Sequence, residues 1–133
     1  MINDQQVSVE PEDMRSPGGH YSHGTVANGF LFISGQLPIT PDGRRLAEAS
    51  FAEQARQALA NVESVLEAAG SSIDRLVQVR VYVDNVDNWP EFNAIYAEWA
   101  GRSRPSRAIV PTGPLHYGLK VEIEAVAVVP RTD

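Results

Sequence analysis

The stretch Phe51–Val83, FAEQARQALANVESVLEAAGSSIDRLVQVRVYV, changes its apolar period part-way along, and that change decides the fold. Phe51, Ala55, Leu59, Val62, Leu66 and Ala69 recur at three- and four-residue steps, the spacing of one helix face. Ser50 with Glu53 three residues later fits a capping box, and Gly70 fits the position after a helix where φ turns positive. The period then drops to two. Val77, Val79, Val81 and Val83 alternate with Gln78, Arg80, Tyr82 and Asp84, the pattern of a strand with one buried face. A helix followed directly by such a strand calls for a sheet with helices laid on it.

The flanks supply the rest of that sheet. Upstream, Ser22–Val26 and Phe30–Ser34 bracket Ala27-Asn28-Gly29. Asn-Gly between two strand-like runs predicts a hairpin, because both residues accept positive φ. Pro41-Asp42-Gly43 marks a further turn, and Gly18-Gly19-His20-Tyr21 reads as a loop. Downstream, Asn88 is placed to cap a second helix with Pro90 in its first turn and Phe92, Ile95, Tyr96 and Trp99 along its apolar stripe, ending at Gly101. Arg107–Val110 reads as a short strand and Leu119–Val129 as a longer one. In the longer strand Val121, Ile123, Ala125 and Ala127 share one face, and Lys120, Glu122, Glu124 and Val126 the other. The order ββ, α, β, α, ββ predicts a single α+β domain, a mixed sheet with two helices packed on one face. Residues 1–16 read as an N-terminal tail or edge segment, and 17–133 as the domain.

Composition narrows the function. The chain has 133 residues, 43% apolar and 21% charged, an ordinary globular balance. Eleven basic against seventeen acidic side chains leave a net charge of −6, which disfavours a grip on nucleic-acid phosphates. Cysteine is absent, which removes disulfides, thiol nucleophiles and thiolate metal sites and suits a cytoplasmic protein. No apolar run nears the ~18–20 residues of a membrane span, and the start MINDQQVSVE has no signal-peptide pattern.

Few residues offer chemistry. Phosphate-binding glycine loops, HExxH and GxSxG are all missing. His20, His23 and His116 do not make a metal set, and His20 and His23 read as solvated loop residues. Arg107 sits in a strand expected to be partly buried, where a permanently charged guanidinium requires an anionic partner. That partner is either Glu122 or Glu124 on the last strand, or a bound carboxylate held by the fork of the guanidinium. Glu122 and Glu124, two residues apart on one face, are either solvated surface acids or a pair able to position water and move protons.

In this order and spacing, the segments Gly19-His20-Tyr21, FLFISGQLPI (Phe30–Ile39), QARQALANVESVLEAAGSSID (Gln54–Asp74), VRVYVDNVDNWPEFNAIYAEWAG (Val79–Gly101), RPSRAIV (Arg104–Val110) and KVEIEAVAV (Lys120–Val128) resemble the RidA/YjgF family of enamine/imine deaminases, also called endoribonuclease L-PSP. The resemblance runs from about Gly19 to Val129. It implies a chorismate-mutase-like fold and a trimeric, barrel-like assembly with clefts between subunits. A subunit interface would also account for the last strand being largely apolar on both faces beyond Glu124.

The implied reaction hydrolyses reactive enamines or imines to 2-oxo acids and ammonia. No cofactor is needed, because the imine carbon is already electrophilic. By position, Arg107 matches the substrate-carboxylate clamp and Glu122 the acid that positions or activates water. Tyr21, Ser34, Asn93, Tyr96 and the backbone of Ile109 match residues lining the site. The alternatives are a non-catalytic module that senses a small carboxylate and, less favoured, an endoribonuclease. The chain departs from the family's usual pattern at His20, His23, Ala108 and the loop Leu115-His116-Tyr117-Gly118, and the loop bears on substrate choice.

Overall fold

A computed structural model describes residues 5–130. The hairpin forms as the Asn-Gly pair predicts. Strands β2 (Gly24–Ala27) and β3 (Phe30–Gln36) pair antiparallel. Asn28 and Gly29, at φ 50° and 80°, make the two-residue turn between them. Strand β1 (Val7–Val9) joins the free edge of β2, so part of the N-terminal segment belongs to the sheet, and Met14 enters the core. Helix α1 (Phe51–Ala68) starts where Ser50 Oγ accepts the Glu53 N–H at 3.1 Å. It ends in a Schellman arrangement, with Gly70 at φ 75°, its N–H on the Glu67 carbonyl, and the Ser71 N–H on that of Leu66.

Strand β4 (Leu76–Val83), helix α2 (Trp89–Ala100), strand β5 (Ser106–Pro111) and strand β6 (Val121–Val128) complete the fold. The six strands lie in the order β1-β2-β3-β6-β4-β5. The last strand in sequence is thus central, antiparallel to both β3 and β4, while β5 runs parallel to β4 at the far edge. Both helices cover one face, where Leu59, Val62, Val65, Leu66 and Phe92 pack on Leu31, Val79, Val81 and Ile123. This is the expected α+β domain with a mixed sheet.

Three local expectations need correction. The valine alternation in β4 breaks at its start. The pairing with β6 shifts register between Leu76 and Gln78, so Leu76 is buried and Val77 exposed; the extra residue of a bulge inverts the face. Asn88 does not cap α2. It lies in a 3₁₀ turn, Val86–Asn88, whose own cap is Asn85, with Oδ1 accepting the Asp87 N–H at 2.9 Å. His23 is 1% exposed rather than solvated. Its Nε2–H donates to the Arg15 carbonyl at 2.9 Å, and its Nδ1 accepts from the Gln36 amide at 3.3 Å.

Two buried amides on α1, outside the apolar stripe, tie the loop after β3 to the helix. Asn61 donates to the carbonyls of Leu37 and Ile39 at 3.0 and 2.9 Å. Gln54 donates to Ala49 and accepts from the Lys120 N–H. Helix α1 comes close to the sheet at Gly24, where a Cβ would stand 2.8 Å from Val65 Cγ1 and 3.1 Å from Leu31 Cδ1. Gly24→Ala is therefore expected to destabilise the fold by about 1–3 kcal/mol, the usual cost of overpacking a full core, read as a shift in the chemical-denaturation midpoint.

Candidate active site

Beyond the helices, the other face of the sheet carries a groove of about 790 Å³ between β3, β6 and the loops around residues 15–21, 39–45 and 116–117. Three of the expected site residues meet there: Tyr21, Ser34 and Glu122. Tyr21 is exposed in the loop before β2. Ser34 donates its hydroxyl to the Ser22 carbonyl at 2.6 Å, which holds that loop against β3.

Glu122 owes its position to a glycine. The pairing of β3 with β6 is irregular between Ile33 and Gln36, and Gly35 lies in that irregularity. A Cβ on Gly35 would stand 2.5 Å from Glu122 Oε2 and 3.0 Å from its Cδ, so any side chain there would push the carboxyl from its place against β3. Burial pushes the Glu122 carboxyl above the usual glutamate range; nearby Glu124 adds to the rise, and His116 opposes it. No hydrogen bond or ion pair engages this carboxyl among the described residues. Glu124, on the same face, is instead committed: it accepts from the Tyr82 hydroxyl and stands 3.8 Å from Arg80. Of the two acids, Glu122 is the one free for chemistry.

The remaining expected residues lie elsewhere. Arg107 pairs in register with Val79, which faces the helices, and its guanidinium lies 4.8 Å from the centroid of the Tyr96 ring on α2. Glu122 pairs with Tyr82 on the opposite face. The sheet therefore separates Arg107 from both Glu122 and Glu124, and neither internal salt bridge forms. Nor is the residue partly buried: β5 is an edge strand, and Arg107 is exposed. Ile109 follows Arg107 on the same side, half-buried, and Asn93 is exposed on α2. One chain thus presents the expected residues in two separate places, Tyr21, Ser34 and Glu122 in the groove, and Arg107, Tyr96 and Ile109 at the β5 edge on the other face.

The sequence reading missed Arg15 and Arg45, which also line the groove. Neither follows a motif, and only the folded loops bring them to it. Arg45 stacks on Tyr117, its guanidinium carbon 3.5 Å from the ring centroid. Among the described residues, no group of three or more His, Cys, Asp or Glu could hold a metal, and no helix is long and apolar enough to cross a membrane.

A mixed six-stranded sheet with two helices on one face and an acid-bearing groove on the other defines an α+β domain of the two-layer kind. The model of the family described as Endoribonuclease L-PSP matches residues 12–129. The chain is 38% identical over 116 residues to Protein HMF1 of Saccharomyces cerevisiae, which covers 87% of this chain and 89% of that protein. The crystal structure of the Escherichia coli YjgF gene product matches with a TM-score of 0.85 and 32% identity, over 92% of this chain and 98% of that one. Escherichia coli TdcF, whose structure holds bound serine, matches with a TM-score of 0.86 and 28% identity, over 93% and 99%. The chain belongs to the RidA/YjgF/L-PSP family.

The packing of Glu122 on Gly35 is open to direct test. Titrated by carboxyl ¹³C NMR, Glu122 is expected to show a midpoint above the ordinary glutamate value of 4.5. In Gly35→Ala the displaced carboxyl reaches water and the midpoint falls back toward 4.5. An unchanged midpoint would mean that Gly35 does not set this environment.

Proposed function

We propose that the protein is a hydrolytic deaminase of reactive enamine and imine intermediates, releasing 2-oxo acids and ammonia. The observation that carries this reading is the Glu122 carboxyl: half-buried, raised in pKa and uncommitted, in a groove of a size suited to a small ligand. The likeness to TdcF, which binds serine, supports a small ligand bearing a carboxylate.

Arg107 clamps the substrate carboxylate with two charge-assisted hydrogen bonds, and the backbone of Ile109 contacts the same group. Tyr96 and Asn93 form the wall on that side, and Tyr21 and Ser34 the wall around Glu122. The imine reacts as its protonated iminium form: water adds to the carbon while Glu122 takes one of the water protons, and the C=N electron pair settles on nitrogen, giving a neutral carbinolamine. Glu122 then returns the proton to nitrogen, the carbon–nitrogen bond breaks, ammonia leaves, and the hydroxyl proton passes to Glu122 as the carbonyl forms, to be released to solvent before the next turnover. Each step needs only positioning and proton transfer, the latter worth about 10²–10⁴-fold.

Because the two half-sites lie on opposite faces of one sheet, the working site is shared between neighbouring copies, in a homotrimer. The uncovered face supports such packing. Phe30 and Phe32, 41% and 47% exposed, lie across from Val128 and Val126 and make an apolar strip a second copy can cover. RNA cleavage is disfavoured by the net charge of −6.

In an assay with freshly generated 2-iminobutanoate, Arg107→Ala is expected to lose about 2–5 kcal/mol of transition-state stabilisation in kcat/KM, and parent-like turnover would sink the clamp. Glu122→Gln should abolish turnover while leaving ligand bound; a sensor with no catalytic role would show no turnover in the parent either. Glu122 works as a base only when ionised, so kcat/KM should climb with pH through a midpoint above 4.5, and that limb should vanish in Glu122→Gln. Light scattering should give three times the 14.5 kDa chain mass, and Phe32→Glu should release smaller species; a monomeric parent would contradict the shared site.

A further inference from the structure

The groove carries more positive charge than one substrate carboxylate held by Arg107 would call for. Arg15 lines it, and its Nη1 is buried with no hydrogen-bond partner among the described residues. Leaving such a donor unpaired is costly, and a small shift of the guanidinium toward an anion in the groove would pair it. Its backbone is fixed at both ends: the Arg15 N–H donates to the Pro41 carbonyl at 3.0 Å, and its own carbonyl accepts from buried His23.

Arg45 lines the same groove. Its backbone is held by a bridge to Ile39, and its guanidinium carbon lies over the Tyr117 ring. Tyr117 has φ 62°, a left-handed conformation uncommon for an aromatic residue, and it is this loop that brings the ring beneath Arg45. Glu122 and Glu124 line the groove too, yet neither forms an ion pair with Arg15 or Arg45. Two arginines thus line the groove with Glu122, without an ion-pair partner of their own among the described residues.

We propose that Arg15 and Arg45 form a second anion subsite, which makes the preferred substrates imines of dicarboxylic amino acids. The proposal rests on the deaminase reading for the first carboxylate, assigned to Arg107. The second carboxylate, at the far end of the ligand, takes hydrogen bonds from Arg15 and charge from Arg45. Neutral side chains leave both unpaired and bind less well.

The test compares 2-oxoglutarate with 2-oxobutanoate, stable products of a dicarboxylic and a neutral imine, by calorimetry at fixed ionic strength. The parent is expected to bind the dicarboxylate about tenfold or more tightly, the scale of one charge-assisted hydrogen bond. Arg15→Gln and Arg45→Gln should each reduce that ratio, and the double variant should erase it. A parent without preference, or a preference that survives both substitutions, overturns the subsite. Should Arg15→Gln fail to melt cooperatively, Arg15→Lys, which keeps the charge and loses the fork, and Arg45→Gln carry the same comparison. The deaminase reading fails separately: a parent with an Arg15-dependent preference that hydrolyses no imine keeps the subsite and loses the reaction.

Discussion

Period-two alternation along β6 puts Val121, Ile123, Ala125 and Ala127 into the core and leaves Glu122 and Glu124 on the face without helices. Every other functional placement follows from it. Because β6 is central, flanked by β3 and β4, its carboxylates stand on the best-supported part of the sheet. The same alternation, carried through β4 into β5, sends Arg107 to the helix side. The sheet is then a wall between the residue proposed to hold the substrate and the residue proposed to act on it. A chain built this way can unite them only by meeting another copy, and its exposed phenylalanine strip offers the surface for that.

The electrostatics of the groove divide labour between two acids of like charge and like spacing. Glu124 is held by Tyr82 and Arg80, and the cost runs the other way for the phenol: the Glu124 hydrogen bond pushes the Tyr82 pKa up. Glu122 has no such partner and sits over Gly35, where burial favours its neutral form. A carboxyl poised to exchange protons nearer neutrality is what a hydrolytic step on an imine requires. Arg15 and Arg45 add positive charge to the same groove, the charge on which the proposed anion subsite rests.

Much of the fold was legible in the sequence, because local rules and tertiary structure agree there. The hairpin at Asn28-Gly29, the cap at Ser50, the Gly70 terminus and the alternation of β6 all follow from backbone preferences that the fold does not override. Where they failed, a non-local constraint won. The bulge at Val77 answers to pairing with β6. His23 is buried because the Arg15 carbonyl and Gln36 need it, and Gln54 and Asn61 because loop carbonyls far along the chain need donors. For the site, Glu122 and Glu124 were visible as a same-face pair. The face of Arg107 was not, since it depends on register with β4, and Arg15 and Arg45 carry no local signature.

The central claim, that each site is assembled from two copies, is tested most directly by mixing two inactive variants. Arg107→Ala and Glu122→Gln, unfolded together and refolded as a mixture, place an intact Arg107 beside an intact Glu122 at some boundaries between copies. With random assembly in a closed ring, about a quarter of the sites carry both, so the mixture should recover about a quarter of parent imine hydrolysis. A mixture as inactive as either variant alone would contradict the shared site.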